Sequence, residues 1–426
     1  MSLSVEGKIY SNGSFEKCCI KVEDGKIKEV KKIIKCDEHI YFRNKLILPA
    51  GVDLHVHFRD PGMTHKEDFY HGSIAAAYGG IGCVFDMPNT IPQTTNIQSL
   101  EDKINEAGKK SVVDFGIYAG INNENLDKIE SIGKKCNGFK IFLGNSTVSM
   151  LFDNKKLREA FDLIRLTEKP AFIHAEDEEC LIKHKSIEKN LSDHMSFRPS
   201  ICEEIAIKNI LHASFGINSN IHICHLSSCE GLELLKNRAR NITCGVTPHH
   251  SLLSVDKNLV TSSFYKVNPP IRTSFDKESL FNAVKNGVVD ILESDHAPHT
   301  QEEKGLEFDE APSGLPGVET MYPLFLYLVK KEALSLQRLV NMISTKPSDI
   351  VGIAKGRIQK GYDADFIVVD MKDDCRIKAE NLHYKCGWTP FEDWPAVFPK
   401  DVFIRGKHVI QDSELIADKG SGSKVE

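Results

Sequence analysis

The chain has 426 residues, 27% of them charged and 41% hydrophobic, with a formal net charge of −6; this is the profile of a globular protein large enough to bury sizeable cores. The charge is spread along the chain without a long basic block, which argues against nucleic acid and against an electrostatic membrane anchor, and no apolar run approaches the ~20 residues needed to span a bilayer. Residues 1–20 lack a basic stretch followed by an apolar one, and the 12 cysteines form neither a CxxC pair nor a compact disulfide framework, so the expected setting is a reducing cytoplasm and the expected partner a small molecule.

From Gly7 to Lys31, turn signals ("SNGS", "EDGK") alternate with short β-prone runs ("CCIKV", "KIKEV"), the pattern of a hairpin-rich antiparallel sheet. A different rhythm follows. Eight apolar, β-branched runs lie at 45–58, 83–89, 112–120, 138–144, 170–176, 221–228, 242–250 and 288–299, with helix-like stretches such as "HKEDFYHGSIAAAYGG", "DNKKLREAFDLIRL" and "EEIAIKNILHASFG" between them. A segment of about 300 residues with eight strands and intervening helices has the length and count of a (β/α)8 TIM-type barrel. The β pattern returns at 356–370 and 401–416, and "KGSGSKVE" closes the chain with the composition of a frayed tail. The expected architecture is therefore an α/β protein in three stretches: residues 1–48 and 353–426 combine into a small β-sandwich domain built from both termini, and residues 49–352 form the barrel.

In such barrels the chemistry sits where the strands end. Each run starts apolar and finishes polar, with His55 and His57 on the first, Lys140 on the fourth, His174 on the fifth, His225 on the sixth and Asp295 on the eighth. In "HVH" the strand period of two points both imidazoles to one side. A lone HxH is weak evidence for metal, but five strands each ending in a ligand-capable residue make coincidence a poor account. Histidines 65, 71, 184, 194, 212, 249 and 250 fall on expected helices or loops and read as surface or packing residues, with "PHH" (248–250) kept open as a support for the ligands. Cys224, next to His225, reads as a small buried strand residue.

Lys140 stands in "NGFKIFLG" among Phe139, Ile141, Phe142 and Leu143. The bland reading is that its stem lies on apolar surface while the ammonium reaches water. The sharper one is that burial favours the neutral amine, which adds carbon dioxide to become a carbamate, a carboxylate on a long arm able to bridge two divalent cations.

The stretches "PAGVDLHVHFRDPGMTHKED" (49–68), "DMPNT" (86–90), "GFKIFLG", "HAED" (174–177), "HICHLSS" (222–228), "VTPHH" (246–250), "VNPPIR" (267–272), "SDHAPHT" (294–300) and "SGLPGVET" (313–320) resemble the amidohydrolase superfamily, and within it the dihydroorotases. The resemblance spans nearly the whole expected barrel. It implies that His55, His57 and Asp295 hold one metal ion, that His174 and His225 hold a second, zinc being the expected element, and that Lys140, carboxylated by CO2, bridges the two. It further implies that Arg59 and Asn89 grip a substrate carboxylate with His299 nearby, that Asn268 and the "LPG" loop line the ring, and that Asp295 is the catalytic proton shuttle. The reaction implied is the reversible cyclisation of N-carbamoyl-L-aspartate to L-dihydroorotate and water in pyrimidine synthesis. A homodimer, or association with aspartate carbamoyltransferase, stays open. So do two rivals: a hydantoinase- or allantoinase-type hydrolase, against which Arg59 argues because a ring without a carboxylate gives it no partner, and a catalytically inactive scaffold.

Overall fold

The structure is a computed structural model that describes residues 2–11, 13–145, 150–255 and 262–426. Its first four strands, β1 (Leu3–Ser11), β2 (Ser14–Glu23), β3 (Lys26–Lys31) and β4 (Glu38–Pro49), join the late strands β13 (Phe366–Val369), β16 (Asp401–Ile404), β17 (Lys407–Gln411) and β18 (Glu414–Leu415) in one eight-stranded sheet of order β18-β17-β16-β13-β4-β1-β2-β3. β1 to β3 are antiparallel hairpin neighbours, as the turn signals require, while β1 and β4 run parallel. Val5, Ile9, Ile20, Ile27, Phe366 and Phe403 form this sheet's own buried cluster. The short β14 (Cys375–Arg376) and β15 (Pro395–Ala396) pair with each other.

The remaining strands, β5 (Gly51–Val56), β6 (Ile81–Asp86), β7 (Asp114–Gly120), β8 (Gly138–Phe142), β9 (Ala171–His174), β10 (Ile221–Ile223), β11 (Ile242–Val246) and β12 (Ile291–Leu292), form a parallel sheet in sequence order. A bridge between Val56 and His296, with the His57 N–H donating to the His296 carbonyl (2.8 Å), closes it on itself. Every residue of these eight strands is buried, which is why they read as apolar runs rather than alternating ones. Run 45–58 straddles both sheets: Leu46–Pro49 pair with β13, and the chain passes through Ala50 into β5. The three quoted helical stretches become helices at Phe69–Tyr78, Leu157–Arg165 and Ser200–Ser214. No helix among the described residues is long and apolar enough to cross a membrane.

One expectation is corrected. The last residues are not frayed: the Gly422 N–H donates to the Ser111 carbonyl (2.9 Å), the Val425 N–H to the Phe115 carbonyl (2.9 Å) and the Asn137 side-chain amide to the Val425 carbonyl (2.9 Å). Val425 joins Val52, Leu54, Phe85, Tyr118 and Phe172 in the cluster filling the barrel. A Cβ on Gly422 would lie 2.0 Å from the Val113 carbonyl, so its glycine serves close approach rather than looseness. The cysteines include one disulfide, Cys180–Cys202, with Cα atoms 5.3 Å apart. The pair is 22 residues apart in sequence, and it meets only because helix Glu178–Lys183 packs on helix Ser200–Ser214.

Candidate metal and substrate site

At the C-terminal end of the barrel, His55 is the last residue but one of β5 and His57 lies just beyond the strand, on the same side. One carboxylate oxygen, Asp295 Oδ1, stands 3.3 Å from His55 Nε2 and 3.2 Å from His57 Nε2. Across the opening, His174 Nδ1 from the end of β9 and His225 Nε2 from just past β10 are 3.1 Å apart. The His55 and His225 rings, with centroids 5.1 Å apart, join the two groups. Burial pushes the His55, His57 and His225 imidazoles well below the ordinary range and lowers His174 too, so neutral rings offer lone pairs. Burial also pushes the Asp295 carboxyl up to about 7.

Lys140 is completely buried on β8, which removes the reading in which its head reaches water. Its Nζ lies 3.3 Å from the buried Cys224 thiol and 5.0 Å from the centroid of the Phe142 ring, and it makes no ion pair with any described residue.

The ligand-type side chains are aimed from behind. The Asn89 amide oxygen lies 2.7 Å from His57 Nδ1; an oxygen there can only accept, so Nδ1 carries the proton and Nε2 is left bare towards Asp295. Glu176 Oε2 is 2.9 Å from His174 Nε2, leaving Nδ1 to face His225, and Arg198 Nη2 donates to the same oxygen at 2.6 Å. Burial alone would raise the Glu176 carboxyl, but the Arg198 guanidinium and the His174 imidazole together outweigh it and hold it well below the usual range. The Asp53 carboxylate accepts from the backbone of both His55 and Ser294 at 3.1 Å, tying the first strand to the last. Glu176, Arg198 and Asp53 were not singled out from the sequence; "HAED" held the only signal, a carboxylate two residues past a ligand.

Three residues of this end, Arg59 (φ 61°), His225 (φ 38°) and Asp295 (φ 45°), adopt the left-handed backbone region without being glycine. Each costs of order 1–3 kcal/mol and persists only where the surroundings over-determine it, a pattern that gathers at functional sites.

The cavity these groups border is also lined by Arg59, Asn89, Phe142, Val267, Asn268, Ala297, Ser313 and Gly314. Arg59 is buried, donates from Nε to the Pro298 carbonyl (3.3 Å) and has Nη2 3.2 Å from His299 Nε2. His299 thus stands behind Arg59. Burial and that guanidinium push its imidazole down to about 3, so it stays neutral. Asn268 Oδ1 is buried without a hydrogen-bond partner among the described residues. Of the "PHH" pair, His250 spans Thr247 Oγ1 (2.8 Å) and the Pro269 carbonyl (3.0 Å), supporting the Asn268–Pro269 turn.

His55, His57 and Asp295 bring three donor atoms within 4.8 Å of one another. A donor set of neutral imidazoles with a carboxylate oxygen, backed by oxygens that fix the tautomers, fits a divalent cation. A further buried carboxylate cluster, Asp114, Asp363 and Asp365, already holds the Lys355 ammonium at 2.6, 2.9 and 2.6 Å.

Residues 46–409 match the amidohydrolase family. Similar proteins include a dihydroorotase of Methanosarcina acetivorans, 39% identical with 98% of this chain and 94% of the relative covered, and a dihydroorotase of Thermoplasma acidophilum, 39% identical with 98% and 97% covered. Among solved structures, an L-hydantoinase from Arthrobacter aurescens superposes with a TM-score of 0.94 at 28% identity, covering 99% of both chains.

Proposed function

We infer the function from one premise: this chain belongs to the amidohydrolase family, and it groups with the dihydroorotases. It is an enzyme acting on a cyclic amide, interconverting N-carbamoyl-L-aspartate with L-dihydroorotate and water in pyrimidine synthesis. In our reading His55, His57 and Asp295 would hold one divalent cation and His174 and His225 a second, both zinc, and Lys140, as a carbamate, would be a further ligand. Burial of Lys140 with no ion pair to any described residue supports this. Its neutral amine forms an N–C bond to CO2 as one C=O π bond opens, and the nitrogen releases one proton, so that the side chain would become an anion where cations bind. When bound, the metal ions supply Lewis acidity that acidifies water and polarises an amide carbonyl.

The chain's own groups do the rest. Asp295 moves the proton: in hydrolysis its carboxylate takes one from the attacking water and passes it to the ring nitrogen as the C–N bond breaks, and ring closure reverses the path. Arg59 and the Asn89 side-chain NH2, whose partner oxygen is committed to His57, bind the carboxylate that substrate and product both carry. Asn268 and the loop at Ser313–Gly317 take the ring, while Phe142, Val267 and Ala297 keep bulk water out.

The observation that carries the substrate choice over a hydantoin is Arg59, a buried guanidinium in the cavity wall. Burial pulls it down only to about 10, so it is charged near neutrality and needs an anionic partner. The test is hydrolysis of dihydroorotate beside dihydrouracil and hydantoin by zinc-loaded protein. Dihydroorotate is expected to be favoured by at least about 100-fold in kcat/KM over dihydrouracil, the worth of a charge-assisted hydrogen-bond pair. Equal rates would overturn the assignment.

A further inference from the structure

The site described above leaves one buried carboxyl group unused. Glu293 follows β12, two residues before Asp295, and is fully buried. Its Oε2 stands 3.5 Å from His55 Nδ1 and 3.4 Å from His222 Nε2, and none of these three atoms has a hydrogen-bond partner among the described residues, so each is a buried polar atom facing the others. Its Oε1 accepts from the backbone N–H of His225. The pocket that holds it is shaped for it: a Cβ on Gly245 of β11 would lie 2.4 Å from Glu293 Oε1 and 2.9 Å from His222 Nε2. The far nitrogen of His222, Nδ1, is 2.9 Å from the Thr243 hydroxyl. That hydroxyl donates its one proton to the Ile221 carbonyl (3.3 Å), so it accepts from Nδ1–H of His222.

A neutral imidazole has one N–H, so a histidine that offers Nε2 to a metal must keep its proton on Nδ1, and that proton needs an acceptor. Asn89 supplies it for His57, and Glu176 sets the reverse arrangement for His174. For His55 the atom in place is Glu293 Oε2. The second oxygen meets the amide of His225, whose left-handed backbone (φ 38°) needs an outside hold.

We propose that Glu293 is a positioning residue for the whole metal centre: one oxygen selects the His55 tautomer and ring plane, the other pins the His225 backbone, so one side chain aims a ligand of each cation. This rests on the two-metal reading above. The buried His222 ring, with Nε2 3.4 Å from Oε2, packs against the carboxylate and limits its rotation.

The test compares wild type with Glu293→Gln, which keeps the volume but places an NH2 where an acceptor is needed. Its readouts are the dissociation constant for Zn²⁺ by chelator competition, the visible absorption of the Co²⁺ form, and kcat and KM of fully loaded protein. Expected are a 10–100-fold weaker metal affinity, an altered Co²⁺ spectrum and a lowered kcat with KM for dihydroorotate within twofold. A variant whose affinity and spectrum match wild type overturns the proposal, even if its thermal stability falls. Should Glu293→Gln not fold, wild type decides. With ¹⁵N-labelled histidine and no metal, His55, assigned through its loss in His55→Gln, is expected as the Nδ1–H tautomer, and the Nε2–H tautomer overturns the proposal. Wild type that binds metal but leaves dihydroorotate intact defeats the substrate reading alone, and the affinity ratio still decides Glu293. Wild type that binds no divalent metal overturns both.

Discussion

Two lysines are buried at opposite ends of the same barrel, and their surroundings differ in kind. Lys355 lies beside Asp114, the first residue of β7, and is held by three carboxylates within 2.6–2.9 Å. Burial opposes its charge, but those carboxylates, Asp365 and Asp114 foremost, outweigh it and raise its pKa well above the ordinary value. Lys140, on β8 near the other end, is equally inaccessible and has a thiol and an aromatic ring for company. A buried lysine with compensating carboxylates is a structural knot. One left without them among the described residues, near imidazoles and at the end of a barrel where chemistry sits, fits the reagent proposed above.

The contrast sharpens most under Lys140→Ala. The fold should survive with little change in melting temperature, while bound metal and turnover fall by on the order of 10³-fold, the several kcal/mol that metal-ion stabilisation supplies. Acetate or propionate should restore part of both, because a small carboxylate can enter the space of the truncated stem, whereas acetamide should not. Full metal content with wild-type turnover in this variant would break the comparison. Next in size is Asp295→Asn, expected to fold normally and lose 10²–10⁴-fold in kcat, since an amide cannot take the proton; a loss under tenfold would move the general base elsewhere.

The eight strand ends were legible because parallel strands buried on both faces show as apolar runs, and a polar residue closing such a run is conspicuous. His55, His57, Lys140, His174, His225 and Asp295 all stood out in this way; all but Lys140 line one cavity, and Lys140 lies buried against Phe142 of its wall. Glu176, Asp53 and Glu293 did not, since a carboxylate beside an apolar run looks the same whether it caps a helix, as neighbouring Asp177 does by accepting from Cys180 N–H, or backs a histidine. Glu293 sits inside "VVDILESDH", where only the fold reveals that it faces β5 and β10 together. The tail misled because glycine and serine report composition, while their pairing with β7 depends on a strand edge about 300 residues away.

At the opposite end the expected effects are on stability. Lys355→Met leaves three buried carboxylates without their cation and should cost about 3–5 kcal/mol by urea denaturation, with kcat of the folded fraction unchanged; lost turnover without lost stability would contradict its structural role. Smaller still, removing residues 421–426 takes away the Val425 side chain and its hydrogen bonds, and should cost about 1.5–3 kcal/mol. Metal content should stay the same, and a stability equal to wild type would restore the frayed reading.

The account's central claim is that Lys140 works as a carbamate, and ¹³C NMR of protein equilibrated with ¹³CO2 and zinc tests it most directly. A carbamate carbon resonance is predicted in wild type and in Lys355→Met and absent from Lys140→Ala. A wild-type spectrum without that resonance, recorded on protein that still holds its metal and turns over dihydroorotate, would contradict it.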